Sequence, residues 1–134
     1  MTFNEAVLEQ AIIDKFKEEG YQYVSGDDLH RQLTDVLIED DLKSFLLSKY
    51  ADNGITVAEV QNIINSVKSA SALPVYDANK RMFNRMVEGE IFVRIDRTKK
   101  DFLLQLIDFD KENNKNIIKI VNQMTIKSST ATRR

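Results

Sequence analysis

The apolar residues of this 134-residue chain change their spacing once, at Gly89. Before that glycine they mostly recur every three or four residues, which is typical of helices that bury one face. After it they alternate with polar residues or form β-branched runs, which indicates strands. Apart from a short strand at 21–24, helices therefore come first and strands last. This order predicts an α+β domain whose antiparallel sheet packs against at least one helix.

The first predicted helix begins at Thr2, because Thr2 and Glu5 have the spacing of an N-terminal capping box. Gly20 supplies the left-handed residue that often ends a helix. The predicted core stripe of this helix consists of Leu8, Ile12 and Phe16. Glu9 lies at the edge of that stripe, so the pattern alone predicts a solvated helix acid.

Three more helices are predicted before Gly89. One covers residues 41–50, and the next starts at a second capping box formed by Thr56 and Glu59. The last follows the turn at Pro74. The residues predicted to form their apolar faces are Leu42, Phe45 and Leu46, then Val60, Ile63, Ile64 and Val67, then Met82, Phe83, Met86 and Val87.

The segment after Gly89 has the two-residue period of a strand. In it Ile91, Val93 and Ile95 alternate with Glu90, Phe92 and Arg94. A polar loop at 96–101 leads to a second strand at 102–108, and a third covers 117–126. Residues 29–39 suit either a helix or an extended chain.

The composition argues against several classes of function. The chain has no cysteine, which excludes disulfides and thiolate metal sites, and a single histidine, His30. It has no glycine-rich phosphate loop, and no apolar run approaches the ~20 residues of a membrane span. The net charge of −2 disfavours a compact domain that binds DNA by bulk electrostatics. We therefore expect a cytoplasmic protein without a membrane segment.

A few polar side chains could carry chemistry, but each has a simpler interpretation. Asp108 and Asp110 could share a cation, although acids at a strand end more often solvate a loop. Asn122 and Gln123 interrupt an apolar strand, so at least one amide should need a partner on the buried face. The sequence assigns no role to these four residues or to His30. The acids that suit helix N-termini better than a metal site are Asp27, Asp28, Glu39, Asp40 and Asp41.

Several segments, taken in order, resemble the N-terminal region of type I restriction enzyme R subunits. They are residues 2–6, 8–12, 19–21, 28–31, 35–42, 106–110 and 121–123. Their order and spacing extend over almost the whole chain. The resemblance implies an incomplete PD-(D/E)xK-type nuclease domain, in which N-terminal helices pack on a mixed sheet. It also implies that the intact subunit cuts double-stranded DNA with Mg²⁺ after ATP-driven translocation. It further implies DNA and the modification and specificity subunits as partners.

The same resemblance makes Glu9 the candidate catalytic residue, because it matches a first-helix acid that assists the metal site. The other catalytic elements of the family do not occur in this sequence. Pro74 is followed by Val75 rather than by aspartate, and the one acid-x-Lys, Asp41-Leu-Lys43, falls at a predicted helix start. We therefore expect the 134-residue chain to be inactive by itself and to hold no cofactor.

The C-terminal residues form a basic cluster without an intervening acid, which predicts a local contact with DNA. Its members are Lys127, Arg133 and Arg134. The stretch 131–134 resembles the Thr/Arg-rich segment that precedes Pro-Asp in the family. We expect a domain at 1–127 followed by a flexible basic tail at 128–134.

Two further properties stay open at the level of sequence. The same fold could serve as a non-catalytic module that binds another protein. In addition, the central strands of the nuclease sheet are absent from this sequence, so the predicted strand at 117–126 would have an open edge. That edge could pair with a second copy and give a dimer.

Overall fold

A computed structural model describes residues 4–69, 74–127 and 132–133 of the chain. Its four described helices are α1 (Glu5–Glu18), α2 (Glu39–Lys49), α3 (Val57–Lys68) and α4 (Val75–Val87). Its described strands are β1 (Gln22–Ser25), β2 (Glu90–Phe92), β3 (Phe102–Leu104), β4 (Lys119–Asn122), β5 (Ile126–Lys127) and β6 (Thr132–Arg133). The strands form one parallel pair, β1–β4, and two antiparallel pairs, β2–β3 and β5–β6. These elements confirm the α+β prediction.

The chain divides into two compact units. Unit 1 consists of Met1–Ile38 and Ile117–Arg134, and it contains α1, β1, β4, β5 and β6. Unit 2 is Glu39–Asn116, with the other three helices and the β2–β3 hairpin. The domain boundary at residue 127 stays a prediction, as does the flexible tail, of which only residues 132–133 are described.

Helix α1 begins at a different cap from the one predicted. The side-chain oxygen of Asn4 accepts the N–H of Val7 at 3.0 Å, so Asn4 is the N-cap. Asparagine caps helices at least as well as threonine, and Thr2 lies outside the described residues. The predicted end is confirmed, because Gly20 has a left-handed φ of 92°.

The buried face of α1 is also not the predicted one. Leu8 and Ile12 are each 47% exposed and Phe16 is 38% exposed, whereas Ile13 is 4% exposed. Ile12 and Ile13 are adjacent and both apolar, so spacing alone did not separate the two faces. Helix α1 contacts β1. Glu9, one turn before Ile13, is half-buried as a consequence.

The predicted strand at 117–126 is two shorter strands, β4 and β5. Gln123, directly after β4, has a φ of 50°, a left-handed conformation that a continuous strand cannot contain. The prediction of one strand is therefore wrong at this residue. Residues 29–38 form neither of the predicted elements, and the carbonyl of Leu33 accepts the N–H of Lys127 at 2.7 Å.

Unit 2 has its core around the packed helices α2 and α3. The capping box predicted at the start of α3 is confirmed, with Thr56 and Glu59 accepting each other's backbone N–H at 3.2 Å. The Tyr50 ring stacks on Phe102 with the centroids 4.8 Å apart, which joins the end of α2 to β3. The buried apolar residues of this unit are Phe45, Leu46, Tyr50, Val60, Ile63, Ile64 and Leu104.

Two apolar faces of unit 2 point to solvent. Strands usually bury their apolar alternate residues, but here Ile91, Val93 and Ile95 are exposed and Arg94 is 3% exposed. In α4 the predicted inward residues Phe83 and Val87 are exposed, while Arg85 is buried. Both arginines are buried because each forms an ion pair with a carboxylate. Arg94 pairs with Glu59 and Arg85 pairs with Glu90, each at 2.9 Å. No described helix is long and apolar enough to cross a membrane.

Candidate functional site

In unit 1 the carboxylate of Glu9 meets two amides at the end of β4. The Nδ2 of Asn122 donates to Glu9 Oε1 at 2.7 Å. The Nε2 of Gln123 lies 3.3 Å from Oε1 and 3.2 Å from Oε2, so it spans both oxygens. The structure therefore brings together the acid singled out by resemblance and the two amides singled out by the strand pattern.

The parallel pairing of β1 with β4 brings these side chains together. We call the group that consists of Glu9, Tyr23, Asn122 and Gln123 the Glu9 cluster. Ser25 lies opposite Asn122, and Tyr23 lies opposite Ile120. Because side chains alternate between the two faces of a strand, Tyr23 and Asn122 share one face. On that face the Tyr23 hydroxyl donates to Asn122 Oδ1 at 2.7 Å. Helix α1 supplies Glu9 from the element before β1.

A close backbone approach accompanies the left-handed conformation of Gln123. Gly26 follows β1 directly, and a Cβ on it would lie 2.6 Å from the carbonyl oxygen of Asn122 and would overlap that of Gln123. Only glycine fits against these two carbonyls without displacing them. A non-glycine residue with positive φ is uncommon, and such residues concentrate at functional sites.

The electrostatics of the cluster differ from those of an ordinary ion pair. The two amides that hold Glu9 are neutral, and no salt bridge between Glu9 and another described residue is present. Hydrogen bonds from neutral donors orient a carboxylate but leave its charge unneutralised. Among the described residues no group of three or more acids, histidines or cysteines could hold a metal ion. Glu9 could thus provide one oxygen ligand but not a complete site.

The second pair of candidate acids orders a loop in unit 2. Asp108 is 9% exposed and accepts the N–H groups of Asp110 at 3.1 Å and Lys115 at 3.0 Å. These two bonds, and then Lys49 Nζ at 3.1 Å, hold the pKa of Asp108 below its ordinary value. Backbone N–H groups of Asn113 and Glu112 lower the pKa of Asp110 in the same way. These hydrogen bonds indicate that Asp108 and Asp110 order the loop rather than share a cation.

The remaining candidates lie in other segments of the chain. Asp41 and Lys43 lie within α2, which is a helix and not the strand that a nuclease acid-x-Lys requires. His30 is exposed and keeps no assigned role. Among the predicted DNA-contacting residues, Lys127 is exposed in β5 and the backbone of Arg133 in β6 pairs with Ile126, while Arg134 lies outside the described residues.

Tyr23 and Gly26 were not predicted as site residues. Tyr23 lies in the short predicted strand at 21–24, and Gly26 lies in the segment 25–28, whose Ser-Gly-Asp-Asp sequence is typical of a turn, so neither carried a signal for a site. Their contribution depends on the pairing of two strands that lie about a hundred residues apart along the chain.

A family model described as type I restriction enzyme R protein N terminus matches residues 2–134. No curated protein and no solved structure matches the chain.

Proposed function

The chain belongs to the type I restriction enzyme R protein N-terminus family, and from this membership we propose that it forms the first part of an R subunit's nuclease domain. The intact subunit would cut double-stranded DNA with Mg²⁺ and couple cleavage to ATP-driven translocation in the cytoplasm. It would do so in complex with modification and specificity subunits.

The observation that carries the proposal is the arrangement around Glu9. An acid on the first helix is held by two neutral amides, so its position is fixed while its charge stays available to a cation. Glu9 Oε2 accepts one of these bonds, and it keeps a lone pair that can bind a metal directly or through a water. A surface acid with a solvated role would not require amides from a distant strand.

Within this function, the chain's own residues supply part of a metal site. Glu9 would contribute one carboxylate oxygen, and the other acids and the lysine would come from the rest of the intact R subunit. When bound, Mg²⁺ supplies charge that offsets the phosphate and lowers the pKa of a water. The part of Glu9 is to hold its oxygen at a fixed place while the amides prevent the side chain from turning away.

The basic residues after β4 would contact the DNA backbone. Lys127 is exposed, and we include Arg133 and Arg134 with it because the sequence there contains no acid. Each phosphate contact should steepen the salt dependence of DNA binding by roughly one unit of slope. Lys127→Gln should lower that slope for the intact complex, with Lys68→Gln on α3 as the control.

The test of the proposed function is Glu9→Gln in the intact R subunit, assembled with its partner subunits. We expect plasmid cleavage to fall strongly to a residual rate, with ATP-driven translocation retained, because only the nuclease site is altered. Cleavage equal to that of the wild type would refute the role of Glu9. We also expect no Mg²⁺-dependent nicking by the 134-residue chain alone, and clear nicking would contradict the assignment of the missing ligands.

A second function is favoured by the exposed stripe of α1, which consists of Leu8, Ile12 and Phe16. Here the chain would be a non-catalytic module that binds another subunit of the restriction complex through this stripe. Ile12→Glu would then prevent assembly, whereas Glu9→Gln would change nothing. Pairing of β4 with a second copy is a further proposal, and sedimentation of the chain over a range of concentrations would detect that dimer.

A further inference from the structure

The amide of Asn122 is fixed at both of its ends. An ionised carboxylate accepts hydrogen bonds and cannot donate them, so the Nδ2 of Asn122 must face Glu9. The Oδ1 at the other end then faces the Tyr23 hydroxyl, which donates to it at 2.7 Å. Tyr23 therefore sets the direction in which Asn122 presents its donor.

Gln123 helps to hold the Glu9 carboxylate through its backbone conformation as well as through its side-chain amide. A left-handed residue directly after β4 redirects the chain, so that the next side chain also reaches the carboxylate of Glu9. The Gly26 backbone leaves room for the carbonyl groups on either side of this bend. Consecutive residues of an extended strand would point their side chains to opposite faces, and only one could contact Glu9.

We infer that Asn122 and Gln123 are positioning residues for Glu9, with Tyr23 orienting the first of the two amides. The inference rests on the proposed function and goes beyond it, since it assigns a task to residues that touch no substrate. Both donors are uncharged, so they fix the carboxylate without competing for its charge. Partners of metal ligands that act in this way typically change metal affinity or activity by about 10- to 100-fold when removed.

The experiment measures plasmid cleavage by the intact R subunit complex as a function of Mg²⁺ concentration. We expect Asn122→Ala to raise the half-saturating Mg²⁺ concentration about tenfold, because the Glu9 side chain then samples other rotamers. Gln10→Ala is the matched control, since Gln10 lies next to Glu9 on α1 and its side-chain amide donates to Asp14 at 2.8 Å. It should leave the Mg²⁺ dependence unchanged.

A double variant separates positioning from general stability. In the Glu9→Gln background, Asn122→Ala should lower the residual cleavage no further, because the group that it positions is already gone. Equal effects of Asn122→Ala with and without Glu9 would show independent action and overturn the inference. ATP-driven translocation serves as the measure of intact folding.

Milder variants keep the inference testable if Asn122→Ala unfolds the domain. Asn122→Asp preserves the shape of the side chain but replaces the donor with an acceptor, and Tyr23→Phe removes the bond that orients the amide. Both should raise the half-saturating Mg²⁺ concentration, Tyr23→Phe by less. An unchanged Mg²⁺ dependence in these variants, with cleavage strongly reduced in Glu9→Gln, would overturn the positioning role and leave the proposed function standing. Unchanged cleavage in Glu9→Gln would instead remove the proposed function itself.

Discussion

The Glu59 carboxylate and the Arg94 guanidinium form a two-pronged ion pair in unit 2, with each side chain 2% exposed. Arg94 Nε lies 2.9 Å from Glu59 Oε2, and Arg94 Nη2 lies 3.1 Å from Oε1. The carbonyl oxygens of Asn53 and Gly54 accept further bonds from the same guanidinium at 2.8 and 3.1 Å. The pair thus connects the start of α3, the turn before it and the segment after β2.

Removing the carboxylate should be strongly destabilising. Glu59→Ala leaves a guanidinium in a buried site without its counter-charge, and such losses cost about 3–5 kcal/mol of unfolding free energy. Thr56→Ala is the matched control, because it removes half of the capping box and keeps the ion pair, at a cost of about 1 kcal/mol. Urea unfolding of the chain measures both. Equal losses in the two variants would mean that the cap, and not the ion pair, stabilises this region.

Local spacing predicted where the helices lie and which faces α2 and α3 bury, but not the buried faces of α1 and α4. The predicted helix at 41–50 corresponds to α2 (Glu39–Lys49), and the Thr56 cap of α3 was predicted to the residue. The buried face of the segment that contains β2 was not predicted, because Arg94 is buried only through its ion pair with Glu59, 35 residues away along the chain. A pattern of apolar residues does not record a buried ion pair, since the partner of the charge is not local.

The loop acids make the stability of unit 2 depend on pH in a defined direction. Backbone N–H groups and Lys49 lower the pKa of Asp108 in the folded state below its ordinary value of 3.8. Its contribution to stability is therefore present above pH 3.8 and is lost as the pH falls through the lower, folded-state pKa. We expect the difference in unfolding free energy between wild type and Asp108→Asn to be largest near neutral pH and to shrink below pH 3.8.

Urea unfolding at a series of pH values between about 2 and 7 checks this expectation. Asp52→Asn, which removes an exposed carboxylate in the turn before α3, is the comparison variant. A difference for Asp108→Asn that does not change with pH would contradict the assigned hydrogen bonds.

The approach of Gly26 to β4 should make this position intolerant of a side chain. Gly26→Ala forces a methyl group against two backbone carbonyls, which costs about 1–3 kcal/mol. Gly20→Ala is the comparison, because a Cβ there meets nothing within 4 Å and is penalised by its φ of 92° alone. We expect the side-chain amide resonances of Asn122 and Gln123 to shift in Gly26→Ala and to stay in place in Gly20→Ala. If the resonances stayed in place in both variants, Gly26 would not contribute to the geometry of the Glu9 cluster.

The Glu9 cluster shows what the sequence could and could not predict about the site. The resemblance singled out Glu9 as a candidate, and the interrupted strand predicted that at least one of the amides of Asn122 and Gln123 needs a partner. Their connection was not predictable from local pattern, because Glu9 and Asn122 are 113 residues apart. The predicted stripe of α1 even placed Glu9 at the edge of the wrong face, and the rotation of the helix toward β1 is a property of the packed unit.

Replacing Gln123 should separate stability from activity. Asparagine tolerates the left-handed region better than glutamine, so Gln123→Asn should keep the unfolding free energy or raise it by up to about 1 kcal/mol. The side chain is one methylene shorter and no longer reaches Glu9, so cleavage by the intact complex should fall to the level of Gln123→Ala. The alanine variant is the control, since it loses the amide and retains the backbone strain. Wild-type cleavage in Gln123→Asn would mean that the left-handed backbone alone, and not the amide, matters at this position.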